Sequence, residues 1–193
     1  SAFCGTSERS SRSATGRTVC KTVTDAWMTE KGLDEGSIWP ERFLFRDIRM
    51  DEKEEVTEIE QICFPPNEAC SARSMKERVE TAPELFLVAE DTETGKIAGF
   101  LNGLSTKETI FRDEFFTEIH LYDPAGENVM LLGLDVRPEY RRQGLAREIV
   151  RQYAEREKKN GRRRLVLTCL ESKVEMYQKF GFRDLGMANS TWG

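Results

Sequence analysis

From residue 43 onward the apolar positions fall into two rhythms, and each predicts an element. Phe43-Leu44-Phe45-Arg46-Asp47-Ile48-Arg49 alternates imperfectly but is rich in aromatic and branched residues, which predicts a first strand. Val56, Ile59, Ile62 and Cys63 then recur at helical spacing behind Asp51 and Glu54, a pair spaced like a capping box, and Pro65-Pro66 must end that helix. Ser71 opens a second helix to about Glu80, Pro83 breaks it, and Leu85-Phe86-Leu87-Val88-Ala89 reads as a strand. Thr94-Gly95 turns the chain into its hairpin partner, Lys96 to Leu104. A strand from Asn128 to Val136 and a helix from about Arg142 to Lys159 follow, with Leu145, Ile149 and Tyr153 one turn apart and Gly161 closing the helix. Leu165 to Cys169 is a short buried strand, Glu171 to Lys179 a short helix, and Phe182 to Ala188 the start of a last strand.

This order predicts one α/β (α+β) domain. A strand, helix and strand around Gly144 require a parallel pair joined by a right-handed crossover, while the hairpin at Gly95 puts antiparallel strands in the same sheet. Thr106 to Gly126 is polar and aromatic, and reads as an insertion whose Phe111, Phe115, Phe116 and Tyr122 either wall a pocket or join the core. Residues 1–40 are rich in Ser, Thr and Gly at first and read as an extension, loosely ordered or docked on the domain at 41–193.

Composition narrows the function by exclusion. A net charge of -5 disfavours a general nucleic-acid binder and suits a cationic partner. No run approaches the roughly 18 apolar residues of a membrane span, and the opening segment lacks the apolar core of a secretory signal. The cysteines, Cys4, Cys20, Cys63, Cys70 and Cys169, are odd in number and include no C-x-x-C pair, which argues against a disulfide framework or a zinc ribbon. The expectation is a cytoplasmic protein without metal and without membrane or nucleic-acid partners.

The candidate chemistry begins at Arg141-Arg142-Gln143-Gly144-Leu145-Ala146. The strand ending at Val136 leads through Pro138 into this turn, and the small residues at 144 and 146 let a ligand approach the backbone. The N–H groups of a helix start, with the positive end of the helix dipole, make an anion site there. The sequence is neither a P-loop nor G-x-G-x-x-G. Read alone, the hexapeptide is equally a helix start with exposed arginines and a glycine kept for packing.

With Leu134-Asp135-Val136-Arg137-Pro138-Glu139-Tyr140 in front of it, the hexapeptide resembles the Q/R-x-x-G-x-G/A acetyl-CoA motif of GNAT N-acetyltransferases, and Tyr177-Gln178-Lys179-Phe180-Gly181-Phe182 resembles the family's second hallmark. The resemblance implies the GNAT fold: a mixed, mostly antiparallel sheet with helices on both faces and a parallel pair splayed at the CoA site. Ile59-Glu60, Phe64, Pro83-Glu84-Leu85 and Val166-Leu167-Thr168-Cys169 look like arylalkylamine N-acetyltransferases within it. It implies transfer of acetyl from acetyl-CoA to a primary amine of a small molecule by direct attack, without an acetyl-enzyme. On this likeness Leu134, Asp135, Val136 and Arg141 through Ala146 bind the CoA, with a backbone N–H at Leu134 or a neighbour polarising the thioester. Tyr177 would protonate the departing thiolate, as a phenol of ordinary pKa about 10 is able to do.

The proton acceptor is where the likeness departs. Vertebrate arylalkylamine enzymes carry two histidines where this chain has Met130 and Leu132, neither of which takes a proton. Glu68, in the loop after the first helix, resembles in position a glutamate of the insect enzymes and is the candidate base. Glu60 and His120, or a water relay, are the alternatives. Glu54, Glu55 and Glu58 read as a solvated face. Family members also end in a strand pair, of which only Phe182 to Ala188 is evident here; the alternating Val19-Cys20-Lys21-Thr22-Val23-Thr24 would fill the gap, from its own chain or from a neighbouring copy in a homodimer. Two other functions share the cradle: a protein N-terminal or lysine acetyltransferase, and a non-catalytic acyl-CoA-binding regulatory domain.

Overall fold

The computed structural model describes residues 18–24, 42–66 and 69–187. Seven strands form one sheet in the order β2 (Phe43–Arg46), β3 (Phe86–Asp91), β4 (Ile97–Thr106), β5 (Asn128–Val136), β6 (Arg164–Leu170), β1 (Thr18–Thr24), β7 (Arg183–Met187). All neighbours are antiparallel except β5 and β6, which run parallel. The segment Thr18–Thr24 pairs with β6 from Thr18↔Leu170 to Thr24↔Arg164, and with β7 on its other side.

Every residue of β4 and β5 is buried, because helices cover both faces of the sheet centre. α1 (Lys53–Cys63) and α2 (Ala72–Thr81) cover one face. Val56, Ile59, Cys63, Met75 and Val79 pack there on Phe86, Val88, Ile97 and Phe100. α3 (Leu145–Lys159) covers the other face, where Leu145, Ile149, Val150 and Tyr153 join Leu101, Leu131 and Leu134. Tyr177, on α4 (Val174–Lys179), belongs to this second cluster. Full burial of each such side chain stabilises the fold by about 1.5–3 kcal/mol.

Several boundaries differ from the sequence pattern for identifiable reasons. The carboxylate that caps the start of the first helical stretch is Glu52, accepting from the Arg49 N–H at 2.7 Å, rather than Glu54; a 3-10 turn over Met50–Glu52 precedes α1. Ile62 lies on the flank of the Val56, Ile59, Cys63 stripe and is 46% exposed. Glu55 is not part of a solvated face, since its carboxylate accepts the Ile97 N–H at 2.8 Å and ties α1 to β4. α3 begins at Leu145 because Arg142 and Gly144 adopt left-handed backbone, with φ of 61° and 79°.

Ser71 caps α2 as its spacing predicts, accepting from the Ser74 N–H at 3.1 Å. Gly95, φ 73°, turns the β3–β4 hairpin. The insertion is pinned by Arg78, whose guanidinium donates to the Phe116 carbonyl, and its Phe111 and Phe115 are core residues. Among the described residues no helix is long and apolar enough to cross a membrane.

Candidate acyl-CoA site

β5 and β6 pair only at Asn128↔Arg164, Val129↔Leu165 and Met130↔Val166, although β5 runs on to Val136 and β6 to Leu170. Beyond Met130 the two strands therefore part. A bulge marks the same place: Asn102 pairs with Gly133 but Gly103 pairs with Leu131, which leaves Leu132 as the extra residue on β5. Gly103 is required there, because a Cβ would sit 2.7 Å from Val129 Cγ1 and 2.8 Å from the Met130 carbonyl.

The direction of the β5 backbone follows from one bond. The Arg137 N–H donates to the Ala98 carbonyl on the β4 side at 2.9 Å. Successive strand residues alternate their N–H and C=O between the two edges, so Leu134 and Val136 turn theirs toward the open side. The Val136 carbonyl there accepts from Arg141 Nε at 3.0 Å and from Cys63 Sγ at 3.4 Å.

After β5, Pro138–Tyr140 make one 3-10 turn, and the Arg141 N–H still finds the Pro138 carbonyl at 3.3 Å. The next backbone bond is Glu148 N–H to the Gly144 carbonyl at 3.1 Å. Among the described residues the N–H groups of Arg142 through Arg147 meet no backbone acceptor. Two left-handed residues so close together turn these groups into a concave nest at the positive end of α3. Arg141 Nη2 is buried beside them with no hydrogen-bond partner among the described residues. A buried guanidinium N–H without an acceptor and a row of open amides fit a phosphate-bearing ligand better than they fit packing alone.

The turn is held from behind by a contact that no local pattern announces. Tyr140 donates to Asp91 Oδ2 at 2.5 Å, stacks edge-on with Phe43 at 5.8 Å and lies under the Arg42 guanidinium. The bond to Tyr140 holds the Asp91 carboxyl below its ordinary range, and the same bond, with burial, raises the Tyr140 phenol.

The remaining candidates separate. Tyr177 is 1% exposed and meets Phe180 and Phe182 edge-on at 5.8 Å each. Glu60 is buried on α1, and its Oε1 accepts the Cys70 N–H at 3.1 Å, so it anchors the α1–α2 loop. His120 is exposed and its Nδ1 lies 3.3 Å from the Glu118 carboxylate, in the insertion. Glu68 lies outside the described residues. Met130 and Leu132 are buried apolar side chains at the bulge. Among the described residues no group of three or more His, Cys, Asp or Glu is placed to hold a metal.

The model of the acetyltransferase (GNAT) family matches residues 53–182, more than half of the chain. No curated protein matches. Among solved structures the chain is similar to a GCN5-related N-acetyltransferase from Sphaerobacter thermophilus, with 18% identity over 89% of this chain and 49% of that one and a TM-score of 0.63. Glucosamine-6-phosphate N-acetyltransferase from Arabidopsis thaliana gives 18% identity over 79% and 99%, with a TM-score of 0.57. The GphF GNAT-like decarboxylase in complex with isobutyryl-CoA gives 22% over 58% and 58%, with a TM-score of 0.52. The chain thus spans about half the length of the first of these proteins, and at such identities the likeness is one of fold. With the family model matched from α1 through α4, including β3 to β6 and the turn before α3, the chain belongs to the acetyltransferase (GNAT) family.

Proposed function

We propose that the chain moves an acetyl group from acetyl-CoA to a primary amine of a small molecule by direct attack in a ternary complex. The observation that carries this reading is the row of acceptorless amides from Arg142 to Arg147, with the buried Arg141 Nη2, set beside the parting of β5 and β6. The amides of Arg142, Gln143, Gly144, Leu145 and Ala146 would hold the pyrophosphate, and the backbone of Leu134, Asp135 and Val136 would run beside the pantetheine arm. Acetyl-CoA supplies the activated acyl group as a thioester. A backbone N–H at Leu134 or at the bulged Leu132 would donate to its carbonyl oxygen as negative charge develops.

Tyr177 would donate a proton to the leaving sulfur. Glu68 is the proposed base for the ammonium. Glu60, with one oxygen already committed to Cys70, keeps the α1–α2 loop in place.

One observation favours a second reading. Met130 and Leu132 place apolar groups at the bulge, neither of which takes a proton, so the cradle would bind acyl-CoA there without a base on this strand. Thiol release from acetyl-CoA in the presence of primary amines, arylalkylamines included, decides between the two. Transfer predicts release that depends on the amine, with the acetylated amine found by mass. Binding of acetyl-CoA without release from any amine supports the second reading. In Tyr177→Phe, kcat should fall by about tenfold to a thousandfold while the Kd for acetyl-CoA stays within about twofold; an equal loss of both removes Tyr177 as the acid.

A further inference from the structure

The two strands that part at the candidate site are fastened unequally. β6 pairs with β5 at three positions, the last of them Met130↔Val166, and with β1 at seven, from Thr18↔Leu170 to Thr24↔Arg164. Leu167, Thr168, Cys169 and Leu170 therefore have their ladder with β1, at Lys21, Cys20, Val19 and Thr18, and none with β5 among the described residues. Since β6 lies between β5 and β1 in the sheet, the edge of this half that faces away from β1 borders the gap.

β7 depends on the same strand. It pairs with β1 at Val19↔Met187, Lys21↔Asp184 and Thr22↔Arg183, and with no other strand among the described residues. α4, which carries Tyr177, connects β6 to β7, so both ends of that connection lead onto β1. Yet β1 and β7 lie outside residues 53–182, the stretch that the family model matches.

Backbone N–H and C=O groups must pair or face water. A strand half with no ladder on either edge has nothing to fix its distance from its neighbour. With β1 in place, one edge of Leu167–Leu170 is paired along its length. With β1 withdrawn, that half is left to fray or to pair with the groups that Leu134 and Val136 turn toward it. Either change removes the gap.

We propose that Thr18–Thr24 is a splint that holds β6 parted from β5, so that acyl-CoA affinity is controlled by a segment outside the matched domain. This rests on the reading of the gap as the acyl-CoA site. Such coupling is reciprocal: as β1 strengthens acyl-CoA binding, acyl-CoA strengthens the hold on β1 by the same factor. A protein that draws β1 out of the sheet as an extended segment would release the acyl-CoA.

The test uses the full chain and acetyl-CoA. Lys21→Pro removes the N–H of a residue paired on both sides, and should weaken acetyl-CoA binding in calorimetry by about tenfold, within the usual range of such couplings. Lys21→Ala keeps that N–H and should stay within about twofold of wild type. Hydrogen exchange on wild type reads the same coupling without a substitution, and decides if Lys21→Pro does not fold. Saturating acetyl-CoA should slow exchange at Thr18–Thr24 by about tenfold, and at Phe43–Arg46, at the other end of the strand order, by less than about twofold. A folded Lys21→Pro with wild-type affinity, an alanine variant as damaging as the proline one, or no slowing at Thr18–Thr24 beyond that at Phe43–Arg46 overturns the splint alone. Failure of wild type to bind acetyl-CoA overturns the reading of the gap and the splint with it.

Discussion

At the scale of single residues, the proposed site is built from backbone more than from side chains. Arg142 is exposed and adopts φ 61°, a conformation that costs a non-glycine residue roughly 1 kcal/mol. If its amide rather than its guanidinium serves the ligand, Arg142→Gly keeps affinity for acetyl-CoA within about twofold. Gly144→Val, placing a branched side chain at φ 79°, should weaken binding by about tenfold or more and lower stability by about 1–3 kcal/mol. Titration calorimetry on the two variants separates these outcomes; an arginine variant as damaging as the valine one would put the side chain in charge.

The Tyr140–Asp91 bond makes a second prediction at this scale. Asp91 is held below its ordinary 3.8 and Tyr140 above its ordinary 10.0, so both groups favour the pair in its carboxylate and phenol forms. The stability contributed by Asp91 is full above pH 3.8 and disappears as pH falls through its lowered value. That of Tyr140 is full below pH 10 and disappears as pH rises through its raised value. Tyr140→Phe should therefore cost about 1–3 kcal/mol near neutrality, measured by denaturant melts, and less at the acid extreme. Tyr140 stands inside a motif visible in the sequence. Asp91 lies 49 residues away, and no local pattern joins the two.

At the scale of elements, the periodic segments were legible and their ends were less so. The stripe of Val56, Ile59 and Cys63, the Ser71 cap, the Gly95 hairpin and the strand Asn128–Val136 all follow from spacing, because local sequence determines them. The helical spacing predicts a start near Arg142, and α3 starts at Leu145, because left-handed geometry at Arg142 has no signature in composition. The Leu132 bulge is likewise a pairing event: it needs Gly103 on the neighbouring strand, where no Cβ fits. Gly103→Ala should destabilise the fold by about 1–3 kcal/mol through overpacking. Ile59→Ala, at 0% exposure on α1, should cost about 2–5 kcal/mol. Chemical denaturation with an unchanged m-value checks both.

At the scale of the whole molecule, the sheet is completed by non-local pairing. Thr18–Thr24 alternates in sequence, yet its place between β6 and β7 depends on partners some 150 residues away, and loop closure over that distance leaves no local trace. Amide hydrogen exchange should show Thr18–Thr24 protected to the level of β6; rapid exchange there with β6 protected would contradict the pairing. The proposed donor side rests on a contiguous motif, Arg141 to Ala146. No contiguous motif marks an acceptor side.

In the proposed function, the nest from Arg142 to Arg147 holds the pyrophosphate of an acyl-CoA. Calorimetric titration with acetyl-CoA and with acetyl-pantetheine, which keeps the thioester and lacks the nucleotide diphosphate, tests it most directly. Acetyl-CoA should bind at least about a hundredfold more tightly, a difference of about 2.8 kcal/mol, and Gly144→Val should erase most of that gap. Equal affinity for the two ligands, or a gap untouched by Gly144→Val, would contradict it.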